Sequence, residues 1–211
     1  MSDYSLYLVT DHKMCLPQGI PKVIANLLDH GISCVQLRMK NAEENELAKT
    51  GKALLDILRP YSIKLIINDH LKVAKQIDAD GIHLGQNDTS IIKARAVLGK
   101  EKIIGLSIEN FAQAQHFATT DVDYFGVGPI FSTNTKRNAA APIGIETLRH
   151  IRSVINKPIV AIGGINHKNA AAVLHAGADG IAVVSAILAQ ANRVKACAKL
   201  HSIIQEVKNE Q

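Results

Sequence analysis

Ile159-Val160-Ala161-Ile162-Gly163-Gly164 is four apolar residues without a break, closed by two glycines. Such a run is too short for a helix and too uniformly apolar for a strand with one wet face. It reads as a strand buried on both faces, which is the mark of a parallel sheet. Runs of this kind recur along the chain at residues 6–10, 35–40, 65–69, 81–86, 103–107, 124–129, 159–163 and 181–185. Parallel neighbours need crossovers, and segments with helical periodicity lie between the runs. The spacing predicts helices over 20–28, 43–58, 90–98, 110–118, 145–154, 168–175 and 187–207, with Asp88 and Thr89 as candidate caps of the third. Eight strand-and-crossover units predict an α/β fold, a single (β/α)8 TIM barrel with parallel strands spanning residues 1–211. In that architecture chemistry collects where the strands end.

Composition agrees with this architecture. Hydrophobic residues make up 47% of the 211 and aromatic residues only 4%, so the core is aliphatic, as barrel interiors are. No apolar stretch approaches the roughly 18 residues that cross a bilayer. The start, Met1-Ser2-Asp3-Tyr4, lacks a basic segment followed by an apolar one, so no signal peptide is expected. Cys15, Cys34 and Cys197 fit no zinc or redox spacing and read as buried or free thiols of a cytoplasmic protein. The net charge of +5 is met either by solvated lysines on outer helices or by an attraction for anionic substrates. Nucleic acid and membrane partners are not expected, because no basic run is interleaved with aromatics and no apolar span exists. Outer helices of barrels often pair, so a homodimer is an open expectation for which the sequence names no surface.

An internal echo links two strand entries: Ala79-Asp80-Gly81-Ile82 and Ala178-Asp179-Gly180-Ile181. It fits two related half-barrels, or one turn chemistry used twice; the second reading is preferred. Either way these aspartates belong to the end of the barrel that carries stability rather than catalysis.

At the other end the strands run into polar residues. Gln36, Arg38 and Lys40 alternate, so a strand presents all three on one face. Long polar side chains on one face of an apolar strand call for a ligand or water. A guanidinium grips phosphate oxygens bidentately and an ammonium adds a point charge; the plain alternative leaves Lys40 solvated in a loop. Asn68-Asp69 closes the third run and Asp88 follows the fourth. Neighbouring barrel strands bring two such carboxylates together, and they repel unless a proton or cation lies between them. Mg²⁺ suits such a pair, since it takes one or two carboxylates and bridges substrate phosphates. Capping of the following helices is the plain reading of Asn68 and Asp88, and it does not exclude metal.

His83, inside the fourth run, reads as an interior residue that steadies a carboxylate or the substrate rather than as a base. Gly126-Val127-Gly128-Pro129 leads into Ser132-Thr133-Asn134-Thr135-Lys136, a hydroxyl-rich loop with a charge. Its span, 132–144, suits a lid, or is a plain surface loop. Gly163-Gly164 and Val184-Ser185 follow the last two strands, where such barrels hold phosphate on backbone N–H groups.

Taken in order, Tyr7-Leu8-Val9-Thr10-Asp11, Val35-Gln36-Leu37-Arg38-Met39-Lys40, Ile67-Asn68-Asp69, His83-Leu84-Gly85-Gln86-Asn87-Asp88, the segment from Gly128 to Lys136, and Ala161-Ile162-Gly163-Gly164-Ile165 resemble the thiamine-phosphate synthase family over nearly the whole chain. The resemblance implies an enzyme that joins an aminopyrimidine diphosphate to a thiazole phosphate and releases diphosphate. It implies that the aminopyrimidine diphosphate lies against Gln36, Leu37, Arg38, Met39, Lys40, Asn68, Ser107 and Lys136. It also implies that Mg²⁺ is held by Asp69 and Asp88, and the thiazole phosphate by Thr133, Thr135, Gly163, Val184 and Ser185. Arg38, Lys40, Ser107 and Lys136 would then act on the reacting groups. The nucleophile would be a ring nitrogen without a proton, so no general base is required, and none is evident. Two rival expectations are a thiazole tautomerase of the same superfamily, expected to carry a histidine where this chain has Pro129, and a non-catalytic barrel that binds a phosphorylated ligand. The paired aspartates speak against both.

Overall fold

The computed structural model describes residues 4–133, 135 and 140–210. Parallel strands close into a barrel in chain order: β1 (Leu6–Val9), β2 (Cys34–Leu37), β3 (Lys64–Asn68), β4 (Gly81–Leu84), β5 (Ile103–Ile108), β6 (Tyr124–Val127), β7 (Ile159–Ile162) and β8 (Gly180–Val183). β8 returns to β1 with Leu8 opposite Val183. Around the barrel run α1 (Ile20–Ala25), α2 (Glu44–Leu58), α3 (Leu71–Gln76), α4 (Ile91–Leu98), α5 (Phe111–Phe117), α6 (Gly144–Val154), α7 (Ala170–His175), α8 (Ser185–Leu188) and α9 (Arg193–Asn209). This is the (β/α)8 barrel. Among the described residues no helix is long and apolar enough to cross a membrane.

Alternate residues of each strand enter different cores. Leu6 and Leu8, Leu65 and Ile67, Phe125 and Val127, and Ile181 and Val183 point outward into one apolar layer shared with the helices. α2 meets that layer with Leu47, Leu54, Leu55 and Leu58, all buried at helical spacing. Each such leucine stabilises the fold by about 1.5–3 kcal/mol relative to exposure. Tyr7, Val9, Cys34, Ile66, Tyr124, Val160 and Ala182 point to the barrel axis and form a second, smaller core. Continuous apolar runs arise because both destinations are dry.

Several boundaries differ from expectation. β2 stops at Leu37, three residues short, because the buried Thr10 hydroxyl accepts the Arg38 N–H at 2.9 Å and donates to the Arg38 carbonyl at 3.2 Å. A side chain there takes over from the strand ladder. α4 is capped neither by Asp88 nor by Thr89: the Ser90 hydroxyl accepts from Lys93 N–H at 3.3 Å. Asn68 caps nothing either, since His70 stands at the start of α3 without a side-chain bond. α3 itself was not expected; six residues make less than two turns, too few for a period to show. The expected helix over 187–207 is two, α8 and α9, because the Asn192 side chain starts a new helix by accepting from Lys195 N–H at 2.9 Å.

Candidate active site

Where the strands end, a cavity of about 1050 Å³ opens. Gln36, Arg38, Lys40, Asn68, Asp69, Asp88, Ser107, Thr133, Thr135, Gly163, Val184 and Ser185 all line it. Leu37 and Met39 do not: their side chains are buried in the outward layer against the helices. The alternation that turns Gln36 inward turns its neighbours out, so a substrate-binding role for those two side chains is corrected. Lys136 lies outside the described residues, as do Asn134 and residues 137–139 of the expected lid.

The two acids are held by local turns. Asp69 sits just past β3 at φ 62°, a left-handed conformation that aspartate tolerates better than most residues, and its N–H donates to the His83 carbonyl at 2.9 Å. Asp88 curls back on β4, its Oδ2 accepting from the Gly85 N–H at 2.6 Å. The two carboxyl groups are within hydrogen-bond reach of one another. Asp69 is open to the cavity, yet the wall around it strips water away, and that desolvation pushes its pKa up to about 6. The hydrogen bond and negative charge of Asp88 push the same way, while Asn68 and Arg38 oppose them. Asn68 Nδ2 donates to Asp69 Oδ2 at 2.5 Å. A carboxyl pair that shares a proton when nothing else is present is a hard oxygen donor set, and a divalent cation removes the same repulsion. Among the described residues no group of three or more His, Cys, Asp or Glu side chains could hold a metal, so such an ion would take its other ligands from water and substrate.

The floor is a row of polar groups inside the small core. Gln36 Nε2 donates to the Tyr7 hydroxyl at 3.0 Å, and the Tyr7 and Tyr124 hydroxyls meet at 2.8 Å. Tyr124 meets His83 Nδ1 at 2.9 Å, and His83 Nε2 meets Ser107 Oγ at 2.9 Å. Burial raises the pKa of both phenols well above the usual value. His83 thus meets both a tyrosine and a serine. Two glycines make room: a Cβ on Gly105 would lie 2.2 Å from the Tyr124 ring, and one on Gly126 would lie 2.8 Å from the His83 ring. The tyrosines were missed in the sequence, although inward-facing phenols in a chain with so few aromatics were the available signal. Opposite the acids, Thr135 Oγ1 donates to Ser185 Oγ at 3.5 Å, joining the hydroxyl-rich loop to the end of β8. The expected helix N-terminus behind that corner is the single turn of α8.

Paired acids beside a guanidinium, facing a hydroxyl-lined corner across one cavity, suit a small molecule that carries phosphate. Fold and mouth together define the class: a (β/α)8 enzyme of phosphorylated substrates. The model of the thiamine monophosphate synthase family matches residues 6–187. The thiamine-phosphate synthase of Chloroflexus aurantiacus is 43% identical over 202 residues, covering 96% of this chain and 93% of that protein. That of Clostridium acetobutylicum is 42% identical over 193 residues, covering 92% and 90%. The solved thiamine phosphate pyrophosphorylase of Pyrococcus furiosus superposes with a TM-score of 0.89 at 36% identity over 98% of each chain. This chain belongs to the thiamine monophosphate synthase family.

Proposed function

We propose that this cavity joins the two ring systems of thiamine phosphate. The chain is a thiamine-phosphate synthase, a transferase that releases diphosphate. The substrates are an aminopyrimidine bearing a diphosphooxymethyl group and a thiazole phosphate. The carbon–oxygen bond to diphosphate breaks, the bonding pair leaves with the diphosphate, and the thiazole nitrogen forms the new bond to the methylene carbon. No proton moves in that step, since the nitrogen carries none and the product is a quaternary thiazolium.

The observation that carries this reading is the Asp69–Asp88 carboxyl pair beside Arg38 at the barrel mouth. Mg²⁺ held by Asp69 and Asp88 would supply positive charge to the diphosphate oxygens. Arg38 and Lys40 line the same wall and stabilise the charge that develops on the leaving group. Asn68 orients Asp69 by its hydrogen bond. The dry floor formed by Tyr7, Val9, Val160 and Ala182 receives a flat ring, with Gln36 at its edge. Thr133, Thr135, Gly163 and the Val184-Ser185 pair face the thiazole phosphate across the cavity, and alignment of the two rings is the remaining task. Lys136, next to Thr135 in the sequence, would add a further cation for the leaving group. The three free, buried cysteines support a reducing, cytoplasmic setting.

The test is an assay of diphosphate release with both substrates present. Thiamine phosphate and diphosphate should appear in equal amounts, and EDTA should abolish the reaction. Lys136→Ala should lower kcat about a hundredfold with little change in thiazole-phosphate affinity. Conversion of a thiazole isomer without diphosphate would instead identify a tautomerase, and ligand binding without turnover would leave a non-catalytic barrel.

A further inference from the structure

The five polar groups of the floor form a chain whose direction can be worked out from its first member. Gln36 Nε2 can only donate, so the Tyr7 oxygen accepts and its own proton is left for Tyr124 at 2.8 Å. Tyr124 accepts that proton, so its O–H is left for His83 Nδ1 at 2.9 Å. Both phenols are 1% exposed, and burial raises their pKa values well above normal, so each keeps one proton to pass along. An imidazole that accepts at Nδ1 carries its proton at Nε2, and Nε2 faces Ser107 Oγ at 2.9 Å. Ser107 then accepts, and its hydroxyl proton is directed to the cavity that the side chain lines.

We propose that Tyr7, Tyr124 and His83 are positioning residues: a one-way hydrogen-bond relay that starts at Gln36, fixes His83 as the Nε2–H tautomer, and commits the Ser107 hydroxyl to donate to an anionic oxygen of the bound diphosphate substrate. The identity of that oxygen rests on the function proposed above; the polarity of the relay does not. Turning the Gln36 amide over would reverse every bond in the row and make Ser107 donate to His83 instead, so the imidazole tautomer reports the polarity directly. A relay of this kind also explains why buried tyrosines stand where an aliphatic barrel would otherwise place another branched side chain. Without the relay Ser107 would be free to turn its proton away from the substrate.

The tautomer is read by long-range ¹⁵N–¹H correlation on histidine-labelled protein, with His83→Gln to assign the resonance. Neutral imidazole protonated at Nε2 is the expected result, and a second population at Nδ1 should appear in Tyr124→Phe. A wild-type resonance protonated at Nδ1 overturns the proposal, and this readout needs neither substrate nor turnover. In the diphosphate-release assay Tyr124→Phe should lower kcat about tenfold with little change in the KM for thiazole phosphate. The same substitution placed on Ser107→Ala should have no further effect, because the relay acts through that hydroxyl. An equal loss in both backgrounds overturns the positioning role. Should Tyr124→Phe fail to fold, Tyr7→Phe interrupts the row one step earlier and makes the same pair of predictions. Absence of diphosphate release from the wild type would sink the proposed function while leaving the tautomer test standing.

Discussion

Aspartates occupy both ends of this barrel, and the two ends treat them in opposite ways. At the strand entries, Asp80 accepts from Leu65 N–H at 2.9 Å, Asp123 from Ile104 N–H at 2.8 Å and Asp179 from Ile159 N–H at 2.7 Å. Each also meets a basic side chain: Lys64 at 3.2 Å, Arg95 at 2.9 Å and Arg152 at 2.8 Å. Asp80, Asp123 and Asp179 immediately precede β4, β6 and β8, and each binds the preceding odd strand. Ser33, immediately before β2, does the same for β1, its Oγ accepting from Leu6 N–H at 3.1 Å. The echo seen at Asp80 and Asp179 is thus one turn chemistry that serves every even strand. At the strand exits Asp69 and Asp88 face each other instead, and desolvation and mutual repulsion raise the Asp69 pKa to about 6. Charge satisfied within the fold marks the end that stabilises. Charge left for something outside the fold is what the proposed chemistry uses.

That contrast can be broken by substitution at either end. Asp69→Ala should lower diphosphate release by about a hundredfold or more, with the melting temperature no lower than wild type. A loss of stability in place of activity would put Asp69 with the other set. Asp123→Ala leaves the Ile104 N–H without its acceptor and takes one carboxylate from the mostly buried Arg95 guanidinium, which keeps Asp121, and should destabilise by about 2 kcal/mol in a urea titration. Its kcat per folded molecule should stay at the wild-type value. Magnesium should raise the melting temperature of wild type above pH 6 and not that of Asp69→Asn, since an ion that binds only the folded state stabilises it. The smallest effect is in pH dependence. An acid whose folded pKa is raised binds its proton more tightly when folded, so stability falls as pH climbs from about 4 to about 6. Asp69→Asn should remove that fall and be slightly more stable than wild type at pH 7, a difference readable by thermal scans across the window.

Legibility followed the reach of local rules. The eight strands were readable because a parallel strand dry on both faces leaves no polar residue in its run, and the run ends where the site begins. β2 looked longer than it is, since Arg38, Met39 and Lys40 continue an alternation whose ladder bond Thr10 intercepts from another strand. Asp69 and Asp88 stood out by type and place, yet the hydrogen bond between them depends on a left-handed Asp69 and on the Gly85 turn that returns Asp88. Leu37 and Met39 belong to the same motif as Arg38 but point to the helices, a distinction that the face of the sheet makes and the motif does not.

Residue order alone determined the barrel, the polar mouth and the family, because hydrophobic period and motif spacing are properties of neighbours along the chain. Only the tertiary structure decided which inward residues touch. Closing the sheet brought Gln36, Tyr7, Tyr124, His83 and Ser107 from five positions scattered across the chain into one hydrogen-bonded row. The sequence does not record that row, because the two bonds at its centre, Tyr7 to Tyr124 and Tyr124 to His83, join strands that are not neighbours and that meet only when the barrel closes.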